Sequence, residues 1–235
     1  MNSNPEERLK PLPPSAPLPR LHDFAASANC FKVRMLLSQL GIPYERVPVD
    51  IFAGDSQTDS YLARNPAGRT PLLETEDGSA IPESGAILLY LAEGTPLLPD
   101  DRVGRAHVHA WMFFEQNLLE PNVGTARFWR LTGRENERPE AFARHLEAGA
   151  SALSALERGL AANDFLVAGR YTVADCELYA YTRVAHEVGY DMATYPAIAA
   201  WLERVAATPG AIDDLEPYPA AAHAGAGGRS AHDRT

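Results

Sequence analysis

Two short residue pairs in the first hundred positions carry the strongest chemical signal. Thr70-Pro71 opens an apolar run, Leu72-Leu73, and Glu83-Ser84 stands directly before a helix-like run. A threonine beside a proline turn offers backbone hydrogen bonds to an extended ligand. Glu83 offers a carboxylate to an ammonium. Ser84 offers a hydroxyl and an amide at a helix start, where carboxylates bind well. Together they describe a site for a small, peptide-like ligand bearing both charges, as a γ-glutamyl group does. The same Glu83 and Ser84 would also stabilise a helix N-terminus unaided, so the residues alone leave both roles open.

The elements that must hold these pairs are legible in the spacing. Leu21 to Phe24 reads as a strand and Ser27-Ala28-Asn29 as a turn or cap. A helix follows to Leu40, with Val33, Leu36, Leu37 and Leu40 on one face, ended by Gly41 and Pro43. Tyr44 to Val49 alternates as a second strand. Asp55 to Ala63 reads as a short, irregular helix, and Asn65-Pro66-Ala67-Gly68 as a turn. Leu72 to Thr75 and Ala80-Ile81 flank Asp77-Gly78, a strong hairpin signal. A helix carrying Ile87, Leu88 and Leu91 closes the unit. The first two strands need a crossover and so are parallel, which makes a small mixed sheet with helices on its faces.

Beyond residues 95–104, a linker with Pro96 and Pro99, strand signals vanish. Arg105 to Leu119 reads as a helix stopped by Pro121, and Pro139 to Ala162 as a long one. Thr172 and Asp175 form a variant capping box, and Pro196 starts a last helix. The chain therefore divides into an α/β half over residues 18–94 and an all-helical half over 105–218. Residues 1–17, dense in proline, and 219–235, rich in alanine, glycine and histidine, read as disordered ends.

Bulk properties narrow the function. The chain has 235 residues and a formal net charge of −10, which gives nucleic acid or an anionic membrane no basic surface to meet. No apolar stretch reads as a membrane span or signal peptide. Two cysteines, Cys30 and Cys176, make no CxxC motif and fit a reducing, cytoplasmic setting. His107 and His109 are two apart on a helix and do not share a face, so no metal site is expected.

In this order the residues resemble the soluble glutathione S-transferases over roughly 18–218. The resemblance rests on Ser27-Ala28-Asn29-Cys30-Phe31-Lys32-Val33-Arg34, on Asn65 to Pro71, on Glu83-Ser84-Gly85-Ala86-Ile87, and on Gly169 with Thr172 to Asp175. It is most similar to bacterial members with a Ser-x-Asn turn before the first helix. It implies a thioredoxin-like N-terminal domain, an all-α C-terminal domain, a homodimer, and glutathione as cosubstrate in conjugation of small apolar electrophiles, a detoxifying transferase chemistry.

The resemblance also assigns roles. Ser27 would donate to the glutathione sulfur, against the plainer reading of a helix cap. Asn29 would cap the helix or donate to the sulfur, capping being the simpler role. Thr70-Pro71 would be a cis bond presenting Thr70 to the cysteinyl backbone, and Glu83 and Ser84 would hold the γ-glutamyl end. Gln57 and Arg69 would serve the glycine carboxylate, with Gln57 standing where relatives often carry lysine. Trp111, Glu115, Arg127 and Phe128 would line the electrophile pocket, although core packing explains each of them as well. Cys30 is out of register with the cysteine of some relatives and reads as a buried, idle thiol. Glutathione-dependent reduction of peroxides or disulfides, and a non-catalytic scaffold that keeps the fold, are the competing functions.

Overall fold

The computed structural model describes residues 17–223. The first sixteen residues and those after His223 lie outside the described residues, and with them most of both expected disordered ends.

The α/β half is a four-stranded sheet in the order β2-β1-β3-β4. Strand β1 (Arg20–Asp23) leads into helix α1 (Ala28–Leu40) and returns in β2 (Glu45–Pro48), parallel to β1. A one-turn helix α2 (Asp59–Leu62) follows, and then the antiparallel pair β3 (Leu72–Glu74) and β4 (Ala80–Pro82). Helix α3 (Ser84–Ala92) closes the unit in a thioredoxin-like arrangement. Gly41 ends α1 at φ 64°, a left-handed conformation that costs a glycine little. The Asp77-Gly78 signal gives the expected hairpin, with Gly78 at φ 82°.

The helical half comprises α4 (Arg102–Phe114), α5 (Thr125–Leu131), α6 (Pro139–Leu160), α7 (Val173–Thr182) and α8 (Pro196–Ala206). The core is continuous between the halves: Phe31 and Leu36 of α1, Leu88 of α3 and Leu178 of α7 belong to one buried cluster. Helix α7 is buried along its whole length. The capping box of Thr172 and Asp175 is in place, and Asp175 does more than cap. Its Oδ1 accepts from Leu166 N at 3.0 Å and from the Trp201 indole at 2.9 Å.

Pro121 does not stop the helix it was expected to end. Between α4 and α5 the chain stays helical as a π-helical stretch, Glu115–Gly124, with Pro121 inside it. Proline removes one backbone donor and crowds the preceding turn. A widened turn relieves the crowding, and side-chain amides add bonds to the backbone of this stretch: Asn117 Nδ2 donates to the Phe113 carbonyl and Asn122 Nδ2 to the Leu118 carbonyl, each at 2.8 Å. Gly124 then packs directly on Tyr181 of α7, where an added Cβ would lie 2.7 Å from the ring. Helix α4 also begins inside the expected linker, capped by Asp101, whose Oδ1 accepts from Gly104 N at 2.8 Å.

The last described residues are packed rather than free. Past α8 the chain folds back across both halves and ends in a short turn, Ala220–Ala222, whose Ala222 is fully buried. The segment expected to lack structure from residue 219 thus begins with ordered chain.

Candidate functional site

The turn between β1 and α1, the turn before β3, the start of α3 and the π-helical stretch meet at one place. Two clefts adjoin there, sharing Asn29, Arg69, Thr70 and Glu120 in their walls. One is walled by Ser27 and by the aromatic rings of Phe24, Phe128, Tyr181 and Tyr218. The other is polar and is walled by Asn65, Glu83, Ser84 and Gln116.

Ser27 is the N-cap of α1, and its Oγ accepts from Cys30 N at 3.3 Å. The cap role and a chemical role are compatible. Capping uses the oxygen as an acceptor and leaves the hydroxyl proton free to donate. Asn29, by contrast, is inside the helix and does not cap it. Its Oδ1 accepts from Ser84 Oγ and its Nδ2 donates to Glu120 Oε1, both at 3.3 Å. These two partners fix which way the amide faces and leave its second N–H uncommitted.

The Thr70-Pro71 bond is cis. The preceding turn is tightly held. Tyr61 Oη and Asn65 Nδ2 both donate to the Arg69 carbonyl at 2.7 Å, while Gln57 Nε2 donates to the Gly68 carbonyl at 2.9 Å. Gly68 sits at φ 62°, and a Cβ there would fall 2.4 Å from Gln57 Nε2. Gln57 therefore braces the turn and does not line either cleft. Arg69 is exposed at the rim of both.

Glu83 stands at the start of α3 in an unusual backbone conformation. It holds φ 70° and ψ 119°, and its side chain makes no cap hydrogen bond. A left-handed φ costs a non-glycine residue on the order of 1–2 kcal/mol. Here the exposed carboxylate lies in the wall of the polar cleft. Ser84 is 5% exposed and lines the same cleft.

The expected electrophile pocket is only partly right. Phe128 lines the aromatic cleft. Trp111 instead packs edge-on to Phe114 and against Gly159 of α6, where a Cβ would meet its ring at 2.5 Å. Arg127 lies behind the wall. It pairs with Glu187, and its guanidinium stands 5.3 Å from the Tyr218 ring centroid. Glu115 is fully buried, with its carboxylate 2.9 Å from Lys32 Nζ. Of these, only Glu115 belongs to the π-helical stretch; Trp111 lies in α4 and Arg127 in α5. The cleft-lining residues that sequence reasoning missed include Phe24, Asn65, Gln116, Glu120, Tyr181 and Tyr218. Glu120 and Tyr181 are ordinary helix positions, and Tyr218 lies in a proline-flanked segment without periodicity.

Lys32 and its neighbours form a buried ionic cluster beneath the site. The ammonium lies between Glu115 and Glu177, the latter at 3.8 Å, and all three are fully buried. Gln116 Nε2 donates to both carboxylates, at 2.7 and 3.2 Å. Burial pushes the Glu115 carboxyl up to about 8, with Lys32 pulling it back only in part and Glu177 adding repulsion. Burial opposes the Lys32 charge, but the two carboxylates more than offset it and hold its pKa above the ordinary value. Glu177 also backs the start of α3, since a Cβ on Gly85 would meet its Oε1 at 3.2 Å.

Cys30 is fully buried, and burial, with Asp23 nearby, pushes its thiol up to about 12. That is the inert thiol the sequence suggested. No group of residues placed to hold a metal ion occurs among the described residues. None of their helices is long and apolar enough to cross a membrane.

The sheet order, the helical second half and a cleft at their junction define a two-domain glutathione-transferase architecture. The glutathione S-transferase N-terminal domain family matches residues 21–98 and the C-terminal domain family residues 119–209. This chain belongs to the glutathione S-transferase family. It is 33% identical to glutathione S-transferase 3 of Zea mays, over 83% of this chain and 91% of the maize protein. A crystal structure of a glutathione S-transferase from Pseudomonas fluorescens is similar at 42% identity and TM-score 0.83, covering 85% of this chain and 100% of that one. Ure2p in complex with S-p-nitrobenzylglutathione is similar at 26% identity and TM-score 0.78, covering 85% of this chain and 94% of that one.

Proposed function

We propose that this chain is a cytoplasmic, bacterial-type transferase that binds glutathione across the two adjoining clefts and presents its thiolate to a small apolar electrophile. The γ-glutamyl end would lie in the polar cleft, its ammonium at Glu83 and its carboxylate at Ser84 and the start of α3. Thr70 would pair with the cysteinyl backbone, and Arg69 would meet the glycine carboxylate at the rim. The sulfur would then sit where the aromatic cleft begins, between Ser27 and Asn29.

One observation carries the reading. Ser27 meets the helix with its oxygen and Asn29 is pinned by Ser84 and Glu120, so each keeps a donor for the same cleft. A free thiol has a pKa near ~8.5, which leaves only a small fraction ionised at neutral pH. Two donors and a helix N-terminus favour the anion, and the anion is the nucleophile. The aromatic walls beyond suit an apolar second substrate.

The chain is expected to work as a homodimer. Supporting this, Phe113 and Val103 of α4 are each 65% exposed and Tyr90 of α3 is 50% exposed, apolar side chains that a partner subunit could cover. Light scattering at low micromolar concentration should return twice the chain mass, and a monomer mass would contradict it.

Ser27→Ala tests the chemistry. A hydrogen bond to a charged group contributes ~1.5–3 kcal/mol, so the bound thiol's pKa should rise by about one to two with glutathione affinity nearly intact. An unchanged pKa in Ser27→Ala together with a raised one in Asn29→Ala would move the role to Asn29. Unchanged values in both would favour a non-catalytic binding protein; a relative, URE2 of Saccharomyces cerevisiae, is named a transcriptional regulator.

Glu83→Gln tests the binding end. Losing a charged partner for the ammonium should weaken glutathione about 10- to 100-fold while turnover at saturation changes little. A glutathione analogue without the amino group should be indifferent to the substitution. Equal weakening of both ligands would remove Glu83 from the ammonium.

A further inference from the structure

Past α8 the chain makes a strap, residues 213–223, that ties the two halves together over the site. Arg34, fully buried on α1, holds Asp214 through Nε at 2.9 Å and the Asp214 carbonyl through Nη2 at 3.4 Å. Arg183 at the end of α7 pairs with Asp213. Glu216 N donates to the Ala25 carbonyl at 3.3 Å, and Arg134 beyond α5 donates to the Ala222 carbonyl. Between these anchors the strap delivers a single aromatic side chain, Tyr218, into the wall of the cleft that begins at Ser27.

Tyr218 completes an aromatic enclosure built from separate parts of the chain. Its ring meets Phe128 edge-on, with centroids 5.5 Å apart, and Phe24 tilted at 6.3 Å. Phe52 in turn stacks on Phe128 at 6.4 Å and meets Phe24 edge-on at 5.8 Å. The Arg127 guanidinium, itself held by Glu187, stands 5.3 Å from the Tyr218 ring centroid. Burial raises the pKa of the Tyr218 hydroxyl, so it stays neutral. The result is a face of neutral, flat rings on this side of the cleft.

We propose that Tyr218 is a specificity-determining residue that selects planar aromatic groups on the sulfur side of the ligand over aliphatic chains of similar size. The proposal rests on the glutathione reading above and adds the class of the second substrate to it. Rings stack or meet edge-on with rings in defined geometries, and this contact goes beyond the apolar area they bury. An alkyl chain gains the burial without that geometry.

The test uses binding, so it does not depend on turnover. Wild-type protein, Tyr218→Leu and Tyr218→Phe are titrated calorimetrically with glutathione, S-hexylglutathione and S-p-nitrobenzylglutathione. The wild type should prefer the nitrobenzyl adduct to the hexyl adduct. Tyr218→Leu should weaken the nitrobenzyl adduct about 3- to 10-fold and the hexyl adduct less than about twofold, with glutathione itself unaffected. Tyr218→Phe should keep the wild-type preference. Phe128→Leu, which removes the facing ring from a helix instead of the strap, should reproduce the loss should Tyr218→Leu fail to fold. Equal weakening of both adducts, or of neither, would overturn the assignment while leaving glutathione binding intact. A wild type that binds none of the three would overturn the glutathione reading itself, and this proposal with it.

Discussion

Replacing Lys32 with methionine is expected to cost about 3–5 kcal/mol of stability, among the largest losses available to a single substitution here. Methionine keeps most of the side-chain volume, so the effect isolates the charge. With the ammonium gone, Glu115 and Glu177 face each other fully buried, with only Gln116 between them. The groups around this cluster are Glu115, Gln116 and Glu120 of the π-helical stretch, and Glu177 and Tyr181 of α7. The pH dependence has a definite sign. Burial raises both carboxyl pKa values in the folded protein. A raised carboxyl binds more protons folded than unfolded, so stability falls as pH rises from the ordinary carboxyl range toward about 8. Lys32 moderates that fall, and its removal steepens it. Denaturant melts should therefore show a larger loss for Lys32→Met at pH 8 than at pH 5.5, where Glu115 takes up a proton. A loss independent of pH would mean that the cluster acts through packing alone.

The second large effect is expected at Asp175. In the variant Asp175→Ala, the buried amides of Thr172 and Leu166 and the Trp201 indole all lose their acceptor. Each orphaned buried donor costs about 1–3 kcal/mol, so the total should be at least about 3 kcal/mol. Part of this is returned because a buried carboxyl is itself costly, and burial raises the pKa of Asp175 despite its hydrogen bonds. The melting temperature and soluble yield should drop, while the folded fraction binds glutathione normally, since Asp175 touches neither cleft. An unchanged melting temperature with lost glutathione binding would reverse the roles assigned to the two halves.

What could be read from the sequence was local. Gly41 and Pro43 ending α1, Asp77-Gly78 turning the hairpin, and Thr172 with Asp175 capping α7 each act within a few residues, and each appears in the structure. Thr70, Glu83 and Ser84, read together in the sequence, line one cleft in the structure, because turn and helix-start chemistry is written beside the residues it serves. The failures are where distant contacts override a local rule. Pro121 signals a stop, yet a π turn packed between α6 and α7 carries the chain onward. Glu115, at the start of that stretch, is buried in the core instead of lining the cleft, and Trp111 of α4 packs against Gly159 of α6. The Arg34–Asp214 pair that brings Tyr218 to the site joins residues 180 apart in the chain, and no spacing rule reaches that far. The Lys32 cluster likewise unites α1, the π-helical stretch and α7, elements far apart in the chain.

The central claim is that Ser27 and Asn29 hold the bound sulfur as its anion. The direct measurement is the ultraviolet thiolate absorbance of glutathione bound to the wild-type protein, followed across a pH titration. The account predicts half-ionisation below about pH 7, against roughly 8.5 for a free thiol. Bound glutathione whose thiolate appears only at its free-solution pH would contradict it.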